Sequence, residues 1–106
     1  MFSSQQIRDM ATIFKAMGEP SRLDLLRQLM DHQSLTVGDL ATRTNLSQAN
    51  VSKHLKTLAQ TGLIQSRKDK NFVFYAIAHP LVKEICGLCC QHLDIPKPAP
   101  KLKSQE

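Results

Sequence analysis

The chain has 106 residues and a formal net charge of +5, with 14 lysines and arginines against 9 aspartates and glutamates. That length is one small domain whose modest core gains from a second copy, and the basic balance suits a polyanionic partner without naming one. No apolar run approaches the roughly 18 residues that cross a bilayer, and no basic stretch leads into an apolar one at the start, so a cytoplasmic protein with no membrane partner is expected.

Ile7, Met10, Ala11, Phe14 and Met17 recur at helical spacing, which predicts a first helix over Ser4 to Met17 ended by Gly18. Pro20 suits the first turn of a second helix, whose Leu23, Leu25, Leu26, Leu29 and Met30 carry it to about Asp31. His32 follows in a polar connection with no second ligand type beside it and reads as a loop residue. Leu35 makes a very short extended segment. Thr36, with Asp39 three positions on, then caps a short third helix that turns Val37, Leu40 and Ala41 inward.

Asn45 and Leu46 form a tight turn, and Ser47 caps a fourth helix by accepting a bond from an otherwise orphan N–H of the first turn. There Val51, Leu55 and Leu58 face the core with Ala59 beside them. Ala49, Ser52, Lys53, Lys56 and Gln60 point the other way, with Gln48 and Asn50 flanking the first turn. Two helices so joined are a helix-turn-helix, and this polar face suits a major groove, since amides pair with adenine edges and lysines with phosphate or guanine. For any one of these residues the plain alternative is a solvated helix face. His54, at the edge of the apolar stripe, reads as half-buried or phosphate-contacting rather than a metal ligand.

Gly62 stops that helix. Leu63 to Lys68 and Phe72 to Ile77 follow as two strands, with Asp69 and Asn71 in the turn and Arg67, Lys68 and Lys70 at or beside the tip. Such a wing reaches phosphates or a minor groove, although the apolar run of the second strand leaves its inward face open. Lys53, Lys56, Arg67, Lys68 and Lys70 thus gather basic charge on the fourth helix and wing, opposed there by Asp69 alone.

After His79 and Pro80 a last helix carries Leu81, Val82, Ile85, Leu88, Cys89 and Leu93, a stripe broader than so small a core needs. With Ile7, Met10 and Phe14 it predicts a homodimer through the first and last helices. The fold class is mainly α with a small β-hairpin wing, a winged helix-turn-helix. Residues 1–95 form the DNA-binding and dimerisation domain, and 96–106, with Pro96, Pro98 and Pro100 among lysines, a flexible tail.

The segment VGDLATRTNLSQANVSKHLKTLAQTGLI, followed by a basic turn and FVFYAI, resembles the winged-helix core of the ArsR/SmtB family of bacterial repressors, from about Phe14 to Cys90. The resemblance implies a homodimer joined by helices at both ends of the chain. It also implies that the helix from Ser47 lies in successive major grooves of a double-stranded operator, and that an effector releases the protein from DNA. Members that sense metal or arsenical on the helix before the recognition helix carry a cysteine pair there, and Val37 to Thr42 contain none. Members that bind zinc between their last helices use an aspartate and histidine at its start, whereas His79 lacks the aspartate and His92 has a different spacing.

What remains is Cys86, Cys89 and Cys90, an odd set too close together for a framework of structural disulfides, so reduced thiols are expected. Steps of three and four bring Cys86 near both others, with the adjacent pair splayed by about 100 degrees. Three such sulfurs suit As(III), Sb(III) or a soft divalent metal as effector, arsenite or antimonite in a trigonal pyramid. Thiol redox or reactive-sulfur sensing, or packing in a repressor without a small effector, are the alternatives. No glycine-rich phosphate loop, no paired acids and no spaced redox pair point to an enzyme. The rival from another class is a winged-helix protein-interaction module.

Overall fold

The computed structural model describes residues 1–93, and the tail expected over 96–106 lies outside the described residues. Its elements are α1 (Ser4–Met17), α2 (Pro20–Asp31), α3 (Val37–Thr44), α4 (Gln48–Gln60), β1 (Ile64–Asp69), β2 (Phe72–Ile77) and α5 (Leu81–Leu93). This is a mainly helical chain with one antiparallel hairpin, the winged helix-turn-helix read from the sequence.

Helix starts follow from side-chain caps. The Asp39 N–H donates to Thr36 Oγ1 and the Thr36 N–H to Asp39 Oδ2, both at 3.1 Å, so the expected capping box opens α3. A like box joins Ser3 and Gln6 ahead of α1. Between α3 and α4 the chain reverses at Asn45, whose φ of 61° is left-handed, a conformation asparagine tolerates better than most residues. Gly62 takes φ 80° after α4 for the same steric reason. Gly18 is different: a Cβ there would stand 3.0 Å from the Phe14 carbonyl oxygen, so close approach rather than handedness favours glycine.

The core is built from one face of each helix. Leu25 and Leu26 of α2, Leu40 of α3, Val51, Leu55 and Leu58 of α4, Leu63 and Val82 are all fully buried, and Met17, Leu29, Leu35 and Ile64 join them. Burying such side chains contributes roughly 1.5–3 kcal/mol each. Ala59, expected beside this stripe, is exposed, because one more step of about 100 degrees carries it past the face that Leu55 and Leu58 share.

Strand pairing settles the wing's inward face. Ile64 pairs with Ile77, Ser66 with Tyr75 and Lys68 with Val73 on one side; Gln65 with Ala76, Arg67 with Phe74 and Asp69 with Phe72 on the other. Tyr75 and Ile77 pack on the core, so Phe72 and Phe74 lie on the opposite face. Leu35 and Tyr75 exchange backbone hydrogen bonds of 3.0 and 2.8 Å, which tie the wing base to the segment before α3.

Candidate nucleic-acid interface and thiol groove

Ser47 Oγ accepts the Asn50 N–H at 3.1 Å and so fixes where α4 begins. Once begun, the helix is held from beneath by Val51, Leu55 and Leu58, none of which has any accessible surface. Gln48, Ala49, Asn50, Ser52, Lys53 and Lys56 are exposed together above them. Two amides, one hydroxyl and two cations therefore share a rigid platform whose position is set by apolar packing rather than by their own contacts. His54 lies half-buried between these faces.

At the wing, the two central turn residues are Lys70 and Asn71, flanked by the Asp69 and Phe72 pair. Lys70 takes the left-handed φ of 58°, not Asn71, so a cation occupies the strained position. Lys68 and Lys70 are exposed. Arg67 is engaged within the hairpin: its guanidinium carbon lies 5.2 Å from the Phe74 ring centroid, and Nη1 stands 3.6 Å from Asp69 Oδ2. It is exposed as well, but a contact to DNA would compete with Asp69.

The end helices divide by face. Ile7 and Phe14 of α1 are more than half exposed, as is Leu88 of α5, while Met10, Leu81 and Ile85 are half-buried. Val82, placed with the dimer residues from the sequence, is instead part of this chain's own core and has no surface to offer a second copy. Helical spacing alone could not separate Val82 from Leu81, because both lie on the same broad apolar stripe.

Between α1 and α5 runs a groove of about 340 Å³ lined by Phe14, Met17, Gly18, Leu23, Ile85, Leu93 and all three cysteines. The sequence placed the thiols together; it missed the apolar walls. Leu23, one of the apolar residues that carry α2, is 40% exposed at this groove. Cys86 is half-buried and Cys89 and Cys90 are exposed, all as free thiols. Burial, then the neighbouring Cys89 and Cys90, push the Cys86 thiol above its usual range. Among the described residues no group of three His, Cys, Asp or Glu stands where it could hold a metal ion. No helix of the described residues is long and apolar enough to cross a membrane.

Comparison with known proteins agrees with this architecture. The family described as bacterial regulatory protein, arsR family, matches residues 19–66. The transcriptional activator HlyU of Vibrio cholerae is 40% identical over 76 residues, 72% of this chain and 69% of that protein. The arsenical resistance operon repressor of Staphylococcus xylosus is 33% identical over 88 residues, 83% of this chain and 80% of the repressor. Among solved structures, reduced HlyU from Vibrio cholerae superimposes with a TM-score of 0.74 at 34% identity, covering 83% of this chain and 92% of that one.

Proposed function

The chain belongs to the ArsR/SmtB family of winged helix-turn-helix transcriptional regulators, DNA-binding proteins rather than enzymes, and from that premise we propose that it is a sequence-specific repressor whose thiols control its hold on an operator. The observation that carries the DNA reading is the α4 platform, exposed side chains for base edges and phosphates above three completely buried anchors. Gln48, Asn50 and Ser52 would read bases, Ala49 would meet a thymine methyl, and Lys53, Lys56, Lys68 and Lys70 would meet phosphates, with Arg67 joining if it leaves Asp69. Two copies joined through Ile7, Met10 and Phe14 with Leu81, Ile85, Leu88 and Cys89 would set two recognition helices about one DNA turn apart, roughly 34–36 Å. A dimer so placed excludes the transcription machinery from the promoter.

Release would start at α5. Cys86, Cys89 and Cys90 have the donor chemistry for arsenite or antimonite, and the arsenical repressor among the relatives supports that class. The thiols of a single chain do not stand as a ready three-ligand site. A redox reading needs only two sulfurs, and the exposure of Cys89 and Cys90 favours it as the second possibility. Either event would change the packing of α5 against α1, and a coupling of roughly 1–3 kcal/mol between that packing and DNA affinity is enough to regulate.

The test is footprinting with the purified full chain, then operator affinity before and after arsenite or a mild oxidant, with each cysteine replaced by serine in turn. A protected palindrome that weakens on treatment supports both halves. No footprint would remove the repressor reading, and a footprint indifferent to every reagent would remove the sensor reading alone.

A further inference from the structure

Of the large apolar side chains exposed among the described residues, Phe72 and Val73 alone lie on the wing; the others stand at the chain start and on α1, α2 and α5. Phe72 is 61% exposed and opens β2 directly after the turn of Lys70 and Asn71. A hairpin tip built only to stay soluble has no use for a phenyl ring there. The ring is supported. It pairs across the strands with Asp69 and shares the outer face with Phe74, whose ring centroid is 6.4 Å away, and the Arg67 guanidinium backs Phe74 at 5.2 Å. Arg67 also stands 3.6 Å from Asp69, which offsets the one carboxylate of the tip, while Lys68 and Lys70 are exposed with no acidic partner among the described residues. Reach agrees with a role on DNA. Ile64 is anchored in the core, and Asp69, opposite Phe72, stands five residues further along β1, about 17 Å at the strand rise. Half a turn of DNA, which separates a major groove from the next minor groove, is also about 17 Å.

We propose that Phe72 is a wedge: with α4 seated in the major groove, its ring enters the neighbouring minor groove of the operator, partly unstacks one base step and bends the duplex. The proposal rests on the reading of α4 and the wing as an operator-binding surface, and it names what the wing does there. A minor groove about 6 Å wide excludes the hairpin itself and admits the side chains of its tip. Apolar wedges, phenylalanine among them, kink DNA by roughly 20–90° toward the major groove. Such a bend brings more of the duplex onto the protein, where the exposed Lys68 and Lys70 meet its phosphates. Unstacking costs least at flexible pyrimidine–purine steps, TA and CA, and more in stiff A-tracts. Phe72 therefore selects sequence at a step where it makes no hydrogen bond. The wing lies apart from the α1 and α5 faces assigned to the dimer, so both tips of a dimer are free to act.

Duplexes selected from a random pool by the purified full chain are footprinted and labelled at both ends, so that energy transfer reports bending. In the same duplexes 2-aminopurine, placed in turn through the flanks, reports unstacking. Binding should bend the DNA by roughly 20° or more per wing and brighten 2-aminopurine at one step in each flank. Phe72→Ser should abolish both signals and weaken binding by about tenfold with the salt slope unchanged, because no charge is lost. The exposure of the ring lets it be removed without unfolding, which circular dichroism checks. Phe72→Leu, which keeps an apolar wedge, should retain both signals. Replacing the brightened step with an A-tract should weaken the unaltered protein and leave Phe72→Ser indifferent. Straight DNA, or a bend that Phe72→Ser keeps, would overturn the wedge while the operator reading stands, and would assign the exposed ring to a protein contact instead. Failure to select any sequence or to give a footprint would remove both.

Discussion

The guanidinium of Arg22 reaches the imidazole of His54, with Nη1 3.5 Å from Nδ1 across a sequence distance of 32 residues. From the same group Nε donates to the Ala16 carbonyl oxygen at 2.6 Å and Nη2 to that of Lys15 at 3.2 Å. Arg22 therefore closes the carboxyl end of α1, where the last carbonyls meet a cation, and touches the middle of α4 from behind its reading face. Phe14 and Met17, which line the thiol groove, are immediate neighbours of those two carbonyls. This makes Arg22 a polar link between the groove wall and the recognition helix.

Arg22→Gln should destabilise the fold by about 2 kcal/mol, the scale of a hydrogen bond to a charged group, with the urea midpoint lowered. If the link carries coupling, the ratio of operator affinities before and after thiol modification should also shrink toward one. His54→Gln, which keeps a side-chain acceptor, should preserve that ratio.

Lys53→Ala and Lys56→Ala should each weaken operator and random DNA by similar factors and reduce the slope of log affinity against log salt by about one. Asn50→Ala should leave that slope alone and relax preference at one base position by about 1–3 kcal/mol. Fluorescence anisotropy at several salt concentrations separates these effects.

Lys70 sits at φ 58°, a conformation that costs an L-residue roughly 1–2 kcal/mol. Lys70→Gly removes that strain, so thermal stability should hold or rise slightly while DNA affinity and its salt slope fall. Unchanged DNA affinity would show that the strained cation is retained for another reason.

Cys86 is the thiol held above its usual range, chiefly by burial. In folded protein at pH 8 its alkylation by iodoacetamide should lag that of free cysteine, and denaturation should remove the lag, which peptide mass mapping reads directly. The sign for stability follows. A thiol whose folded pKa is raised keeps its proton more tightly in the native state, so its contribution is complete below the ordinary thiol pKa and is lost as pH climbs through the raised one. Cys86→Ser should flatten that alkaline decline.

Much of this protein is legible without coordinates, because its helices begin and end on local chemistry. The Thr36 and Asp39 box, the Ser47 cap and the left-handed Gly62 act within four residues, and the same short range brings Cys86 beside Cys89 and Cys90. The exposed platform of α4 is legible too, since a period of 3.6 residues assigns Val51, Leu55 and Leu58 to one side and Lys53 and Lys56 to the other. Assembly across elements was decided by tertiary structure. Only strand pairing could turn Tyr75 inward and Phe72 outward in a run that is apolar throughout, and only the docking of α5 could consign Val82 to the core while leaving Leu88 in solvent. The walls that Phe14 and Leu23 give the thiols, and the reach of Arg22 to His54, join residues far apart in the chain. Periodicity says which residues share a face; what that face meets depends on every other element competing for the same apolar surface.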